Sequence, residues 1–469
     1  MRGLRITERN LSQVKEHPEF RTEAEFYLAS DGVQRNFVLG AQAIPFAQYG
    51  TSEELNEEEI GYPVLRLNEI SNGFVETAEK HCAFLNDKDF RNLELKKNDV
   101  LICRTNGNPR FVGMTALVME DTPVAFASYL YKVRPNRALI TPATLLVFLN
   151  CAKGRMEIEK HSIRSNQVNF SPERLRQARL PLFTPDFQHH IDNQVEAAFK
   201  QRRLADKTYL DADRLLLCSL SLTNWSPPSP LTYIHKASEV FGVARFDAEH
   251  FQPKYKAMLE HARKQATRYR TIDEIAIHCD RGEQPEYTED GTLAVVTSQH
   301  ILETGLDYEV LERTAATNWD NPAFVSARIQ QHDILTYTTG AKVGRTAAYL
   351  ASDKALASNH VNLLRLREEN PVYVATVMHS MIGRWQTNMW ASGSAQVELY
   401  PQDIRRFVIP FVDSKTETVI VKSVQEAYEA RRKAYALFDN AKHAVEIAIE
   451  ESETAALKYI KTAMTEASA

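Results

Sequence analysis

The sequence predicts an α+β chain: two duplicated α/β domains separated by two long antiparallel coiled-coil helices. Three observations predict it. Blocks of sequence occur twice, a long helical segment with one shared apolar register closes each half, and a proline-rich break lies between the halves.

The duplication comes first, because a missed repeat misassigns a whole fold. Ser165 to Pro172 (SNQVNFSP) matches Ser394 to Pro401 (SAQVELYP), with Gln167 against Gln396 and Pro172 against Pro401 at an offset of 229. Leu180 to Phe183 meets Ile409 to Val412, and Pro142 meets Pro371, at the same offset. Upstream the offset drifts: Asn98 to Ile102 meets His332 to Thr336 at 234, Val64-Leu65 meets Val295-Val296 at 231, and Glu23 to Phe26 meets Asp247 to His250 at 224. Drift between matched apolar blocks means loop insertions between shared elements. The unit is half the chain, too long for a solenoid repeat.

Each half begins with short apolar runs that read as strands: Pro63 to Leu67, Val100 to Cys103, Leu145 to Leu149, Leu293 to Val296 and Ile334 to Tyr337. A helical segment follows, over 187–220 in the first half and 416 to 465 in the second. Read in alternating steps of four and three, the first helix gives Ile191, Val195, Ala198, Arg202, Ala205, Tyr209, Ala212 and Leu216. The second gives Ile420, Val424, Ala427, Arg431, Ala434, Phe438, Ala441 and Val445. Six of the eight pairs are identical, including the single arginine, which reads as a polar residue fixing the register. A 3.5-residue period with alanine in the seam allows close helix approach. Between the halves, Trp225-Ser-Pro-Pro-Ser-Pro230 cannot continue a helix. The boundaries expected are 1–186 and 226–415 for the two domains, and 187–225 and 416–469 for the two helices.

Composition narrows the class. The chain has 469 residues, 43% hydrophobic and 25% charged, which excludes collagen-like and wholly disordered readings. Net charge is -5, which does not decide for or against nucleic acid, because binding needs a local basic face. Cys82, Cys103, Cys151, Cys218 and Cys279 lie 21 or more positions apart, so no zinc or redox CxxC spacing exists and reduced thiols are expected. Met1 to Arg9 offers no apolar leader, and the longest apolar runs fall far short of the ~20 residues of a membrane span. A soluble cytoplasmic protein is expected.

Several blocks together resemble one family, the specificity subunits of type I restriction–modification enzymes. They are Tyr62 to Ile70 (YPVLRLNEI), Asn98 to Gly107 (NDVLICRTNG), the 167–183 series, and Arg245 to Tyr255 (RFDAEHFQPKY). Thr338 to Thr346 (TTGAKVGRT) and Ile409-Pro-Phe411 fit in the second half. The resemblance covers nearly the whole chain. It implies two target recognition domains, each reading half of a split site in double-stranded DNA. It implies spacer helices that dock two modification subunits, with restriction/translocase subunits joining them. Adenine-N6 methylation and its cofactor, S-adenosylmethionine, would belong to the modification subunits. This chain would be non-catalytic and hold no cofactor or metal. A helix of some 34 residues would span roughly 50 Å and set the gap between the two readers. The residues alone leave a second reading open: a coiled-coil scaffold that organises partners without touching DNA.

Charge supplies candidates for a DNA face. Residues 131–180 hold ten Lys/Arg against three Glu, and Arg174, Arg176 and Arg179 are its densest run. Base readout needs Arg, Lys, Asn or Gln on loops. The first-half candidates are Arg104, Asn106, Asn108, Arg110, Arg164, Asn166 and Gln167. The second-half candidates are Lys342, Arg345, Asn388 and Gln396. Differing loops, Asn106 to Gly113 against Gly340 to Gly344, imply that the two domains read different bases. Gly340 to Thr346 lacks the spacing of a phosphate loop. Asp320 to Phe324 resembles a methyltransferase loop but has no glycine-rich partner, and His189-His190 has no third ligand.

Overall fold

A computed structural model describes residues 8, 10–15, 26–27, 32–71, 73–164, 167–288, 290–393 and 396–466. The chain divides into two compact units, Met1–Gln201 with Lys433–Ala469, and Arg202–Arg432. The divisions fall inside the long helices, because each unit completes its core with a part of both.

In the first unit a four-stranded antiparallel sheet runs in the order Phe46–Tyr49, Leu130–Arg134, Val100–Cys103, Thr115–Leu117. A smaller sheet pairs Ala125–Phe126 parallel with Tyr62–Leu65. Phe37–Leu39 pairs with Arg179–Pro181, and Ile70–Ser71 with Phe74–Val75. Helices Pro142–Asn150 and Ala152–His161 pack on this framework. Its main core joins Val100, Ile102, Tyr131 and Leu146 to Ile191, Val195 and Ala198 of the first long helix. Phe438, Ala441 and Val445 of the second long helix enter the same core.

The second unit has the same strand order. Ala276–Arg281, Val361–Leu366, Ile334–Tyr337 and Thr346–Ala348 form its antiparallel sheet. Leu293–Val296 pairs parallel with Ala355–Ala357, Arg268–Thr271 pairs with Val408–Phe411, and Ile301–Leu302 forms a hairpin with Gly305–Leu306. Helices Pro371–His379 and Met381–Trp390 follow. Here Tyr209, Ala212 and Leu216 share a core with Ile420, Val424 and Ala427.

The long helices are Pro185–Ser219 and Ser414–Glu450. All sixteen positions of the 4–3 register are buried, at most 8% exposed. The first helix stops at Ser219 and does not reach 225: Ser221 turns left-handed (φ 54°), and Leu222 N closes back onto Leu217 O at 2.8 Å. The second expected helix is two. A break after Glu450 is capped by Ser452, whose hydroxyl accepts from Ala455 N, and Glu453–Glu466 begins anew.

Leu145 to Leu149, expected as a strand, lies inside the helix Pro142–Asn150. A fully apolar run carries no period, so helix and strand are indistinguishable within it. The deciding signal lies just ahead. Thr141 caps the Thr144 amide at 3.1 Å, and Pro142 takes the first helical position. Asn370 and Pro371 start the equivalent helix in the second unit the same way.

Candidate nucleic-acid interface

Three strand ends and one loop build the first unit's candidate surface. Val168–Asn169 pairs with Thr105–Asn106, which brings Gln167 beside the loop that follows Arg104. Thr105 Oγ1 donates to Val168 O at 3.0 Å and to Gln167 Oε1 at 3.3 Å. Asn106 Oδ1 accepts from Asn108 N at 2.7 Å, and Asn108 Oδ1 from Arg110 N at 3.0 Å. These two asparagines therefore shape successive turns with the very oxygens that base reading would use. Arg110 is exposed at the tip, and Arg155 anchors the loop through the carbonyls of Val112 (2.7 Å) and Arg110 (3.1 Å). The Arg104 guanidinium lies 5.3 Å from the Tyr49 ring centre, and the Tyr49 hydroxyl donates to Glu173 at 3.3 Å.

Glu173 stands on the short helix Pro172–Gln177, which also carries Arg174 and Arg176 at half-buried positions. That hydrogen bond ties this basic helix to the Arg104 sheet end. Arg179 stands apart. Its guanidinium lies 4.6 Å from the Phe37 ring and donates to Val33 O, while its amide donates to the buried Glu157 at 2.9 Å. Arg164 ends the strand Ile163–Arg164, and Asn166 lies outside the described residues.

The excess of ten cations over three carboxylates in 131–180 is smaller at the surface than in the sequence. Lys132 is 1% exposed, and its ammonium donates to the carbonyls of Asn92 (3.0 Å), Leu93 (3.3 Å) and Glu94 (3.1 Å). These are the last carbonyls of the helix Asp87–Leu93, where a cation suits the helix dipole. Burial pushes its pKa down to about 8. Arg134 forms a two-pronged pair with the buried Asp99, at 2.5 and 3.2 Å. Lys132, Arg134 and Arg155 are thus structural. Alternation along Tyr131–Lys132–Val133–Arg134 hints at this, since a strand buried on both faces must neutralise its own charges.

In the second unit the loop from Thr338 to Arg345 holds Lys342 and Arg345. Gly340 N donates to Val397 O at 3.0 Å, which brings Gln396 to this loop. Arg345 does not stand free. Its Nε donates to Glu303 at 2.8 Å, and Arg384 and His379 close on the same carboxylate. Burial would raise the Glu303 carboxyl, but the hydrogen bonds from His379 and Arg384 and the charges of Arg384 and Arg345 hold it well below the usual range. Asn388 is exposed on Met381–Trp390. The sequence reading missed Tyr49 and Glu303, which orient Arg104 and Arg345. Neither stands in a basic or polar-loop motif, so no local signal marked them.

Among the described residues no cluster of three His, Cys, Asp or Glu could hold a metal, and no helix is long and apolar enough to cross a membrane. Asn321 of the methyltransferase-like loop caps a short turn through Ala323 N at 3.0 Å. Cys82, Cys103, Cys151 and Cys279 are buried free thiols, and Cys218 is an exposed one.

No family model matches the chain. Among curated proteins it is similar to the type I restriction enzyme EcoKI specificity subunit of Escherichia coli (strain K12), with 25% identity over 137 residues. That match takes in 26% of this chain and 30% of the relative, so it spans under a third of the relative's length. Among solved structures, the type I restriction–modification S subunit from M. genitalium is 12% identical, with 92% of this chain and 96% of that chain covered and a TM-score of 0.35. The HsdS subunit from Thermoanaerobacter tengcongensis is also 12% identical, over 89% and 96% of the two chains, with a TM-score of 0.29. The chain thus resembles type I specificity subunits, in its motifs and in its match to the EcoKI subunit.

Proposed function

We propose that this chain is a non-catalytic DNA-binding subunit of a type I restriction–modification enzyme. It reads a bipartite, asymmetric site and directs adenine-N6 methyltransferase and restriction subunits to it. Each compact unit contains one target recognition domain that reads one half-site. The two long helices pair antiparallel as a coiled coil and dock the modification subunits, which hold S-adenosylmethionine. One observation carries the reading beside the EcoKI likeness. The strand order of one unit recurs in the other, while the polar loops on it differ: Asn106 to Arg110 in one, Gly340 to Arg345 in the other. Two readers on one scaffold plan, with different polar side chains, suit two different half-sites.

The helix pairing is supported within each unit. Early seam positions of one helix share a core with late positions of the other. A scaffold without DNA readout would explain the helices but not the paired polar loops.

The test is duplex selection from a random library, using the chain assembled with its modification subunits. Enrichment of a two-part motif supports the proposal. Retention of all duplexes alike, or of none, favours the scaffold. The isolated chain should transfer no methyl group from labelled S-adenosylmethionine.

A further inference from the structure

The four-stranded sheets of the two units end alike. In the first, Gly50 N donates to Leu130 O at 3.3 Å and Arg104 N to Tyr129 O at 2.8 Å. In the second, Gly282 N donates to Val361 O at 2.9 Å and Thr338 N to His360 O at 3.0 Å. Arg104 O then accepts from Phe170 N, as Thr338 O accepts from Leu399 N. Tyr49, Arg104 and Tyr129 of one unit therefore occupy the places of Arg281, Thr338 and His360 in the other.

At both ends, buried polar atoms lack a protein hydrogen-bond partner. They are Arg104 Nε and Tyr131 Oη in the first unit. In the second they are Arg281 Nε, the hydroxyls of Thr338, Thr339 and Ser358, and Asn359 Oδ1. Thr338 is 0% and Thr339 5% exposed. Folded chains leave few such groups, because each costs desolvation without return. Seven of the fifteen such atoms among the described residues belong to these two ends, five of them in the second unit, which suits a surface finished by a polar ligand or by water that the ligand brings.

Each end also carries an arginine laid on a tyrosine, from different strands. Arg104 lies over Tyr49. Arg281 lies 4.9 Å from the Tyr400 ring and reaches Glu398 (3.5 Å) and Leu399 O (3.3 Å). The Arg281 side chain keeps 26% of its surface, and each sheet end carries an exposed ring, Tyr129 or His360. A guanidinium oriented by a ring and a carboxylate loses less freedom when it binds.

We propose that this sheet end is the base-reading surface of each unit, with Arg281 and His360 as specificity-determining residues of the second and Arg104 and Tyr129 of the first. The inference rests on the DNA-recognition reading and adds residues to it. Arginine is the commonest reader of guanine O6 and N7, so each half-site is expected to contain a guanine contacted by its arginine.

Selection from a random duplex library, with the chain in complex with its modification subunits, tests this. Arg281→Gln and, separately, His360→Ala should relax one half-site by about tenfold at a single position and leave the other half-site intact. Arg104→Gln should do the same to the opposite half. His360 is exposed, so its variant should melt with the wild type and guards against a folding artefact. If the wild type selects no motif, the DNA-recognition reading itself falls. If the wild type selects a two-part motif and both Arg281→Gln and His360→Ala keep it unchanged, the sheet-end assignment is overturned.

Discussion

Arg202 and Arg431, the two seam arginines, face one carboxylate. Arg202 Nε reaches Asp206 at 3.3 Å, and Arg431 reaches the other oxygen of Asp206 at 2.6 Å. Thr304 also donates to Asp206 at 2.9 Å. Both arginines are at most 5% exposed, so their charge needs compensation, which the Asp206 carboxylate supplies to both. Asp206→Ala should destabilise the chain by on the order of 3 kcal/mol, read as a fall in urea midpoint. Lys132→Met should cost about 1–3 kcal/mol, because three helix-end carbonyls lose their donor. His300 makes stability pH-dependent. Its Nδ1 accepts from Thr297 N at 2.9 Å, and burial pushes its pKa down to about 4. The unfolded imidazole takes its proton near 6.5, the folded one only near 4. This contribution is complete above about pH 6.5 and is lost as pH falls toward 4. His300→Gln keeps an acceptor that does not titrate there, and should flatten urea midpoints measured between those two pH values. The 4–3 periodicity made the seam arginines legible. Nothing made Asp206 legible as their shared partner, because a solvent-side aspartate of a helix looks like any other.

At the level of elements, strands bounded by charge or glycine were legible. Ile334 to Tyr337 and Leu293 to Val296 have the expected ends. Leu145 to Leu149 was not legible, because its burial on all sides erased the period that separates helix from strand. The break at Ser452 was equally hidden, since no glycine or proline marks it. The seam sets a prediction of its own. A fragment ending near Pro227 keeps Ile191, Val195 and Ala198 but loses Phe438, Ala441 and Val445, which share their core. The exposed seam should recruit a second copy, giving a homodimer at micromolar concentration by sedimentation. A monomer there would count against helix pairing. Ala434→Leu, at a fully buried seam position, should overpack the interface and cost about 1–3 kcal/mol.

For the whole molecule, phosphate neutralisation and base reading separate experimentally. Removing charge at Arg174 and Arg176, on the short helix Pro172–Gln177, should weaken binding to all duplexes alike. The slope of log affinity against log salt should drop by roughly one for each phosphate left without its cation. Sequence preference should survive. The duplication was legible because the matched blocks at an offset of 229 sit on shared elements such as Pro142 and Pro371. The second unit's sheet end was harder to see, although the offset of 234 from Asn98 to His332 already places Thr338 opposite Arg104. Arg281 and His360 come from other strands, and only pairing brings them to Thr338. The measurement that bears most directly on the proposed role is the adenine methylome of host cells with and without this gene. The expected result is a two-part methylated motif, its halves separated by unread bases, that disappears when the gene is deleted and returns with it. A methylome unchanged by the deletion, in cells that express the modification subunits, would contradict the claim that this chain chooses their target.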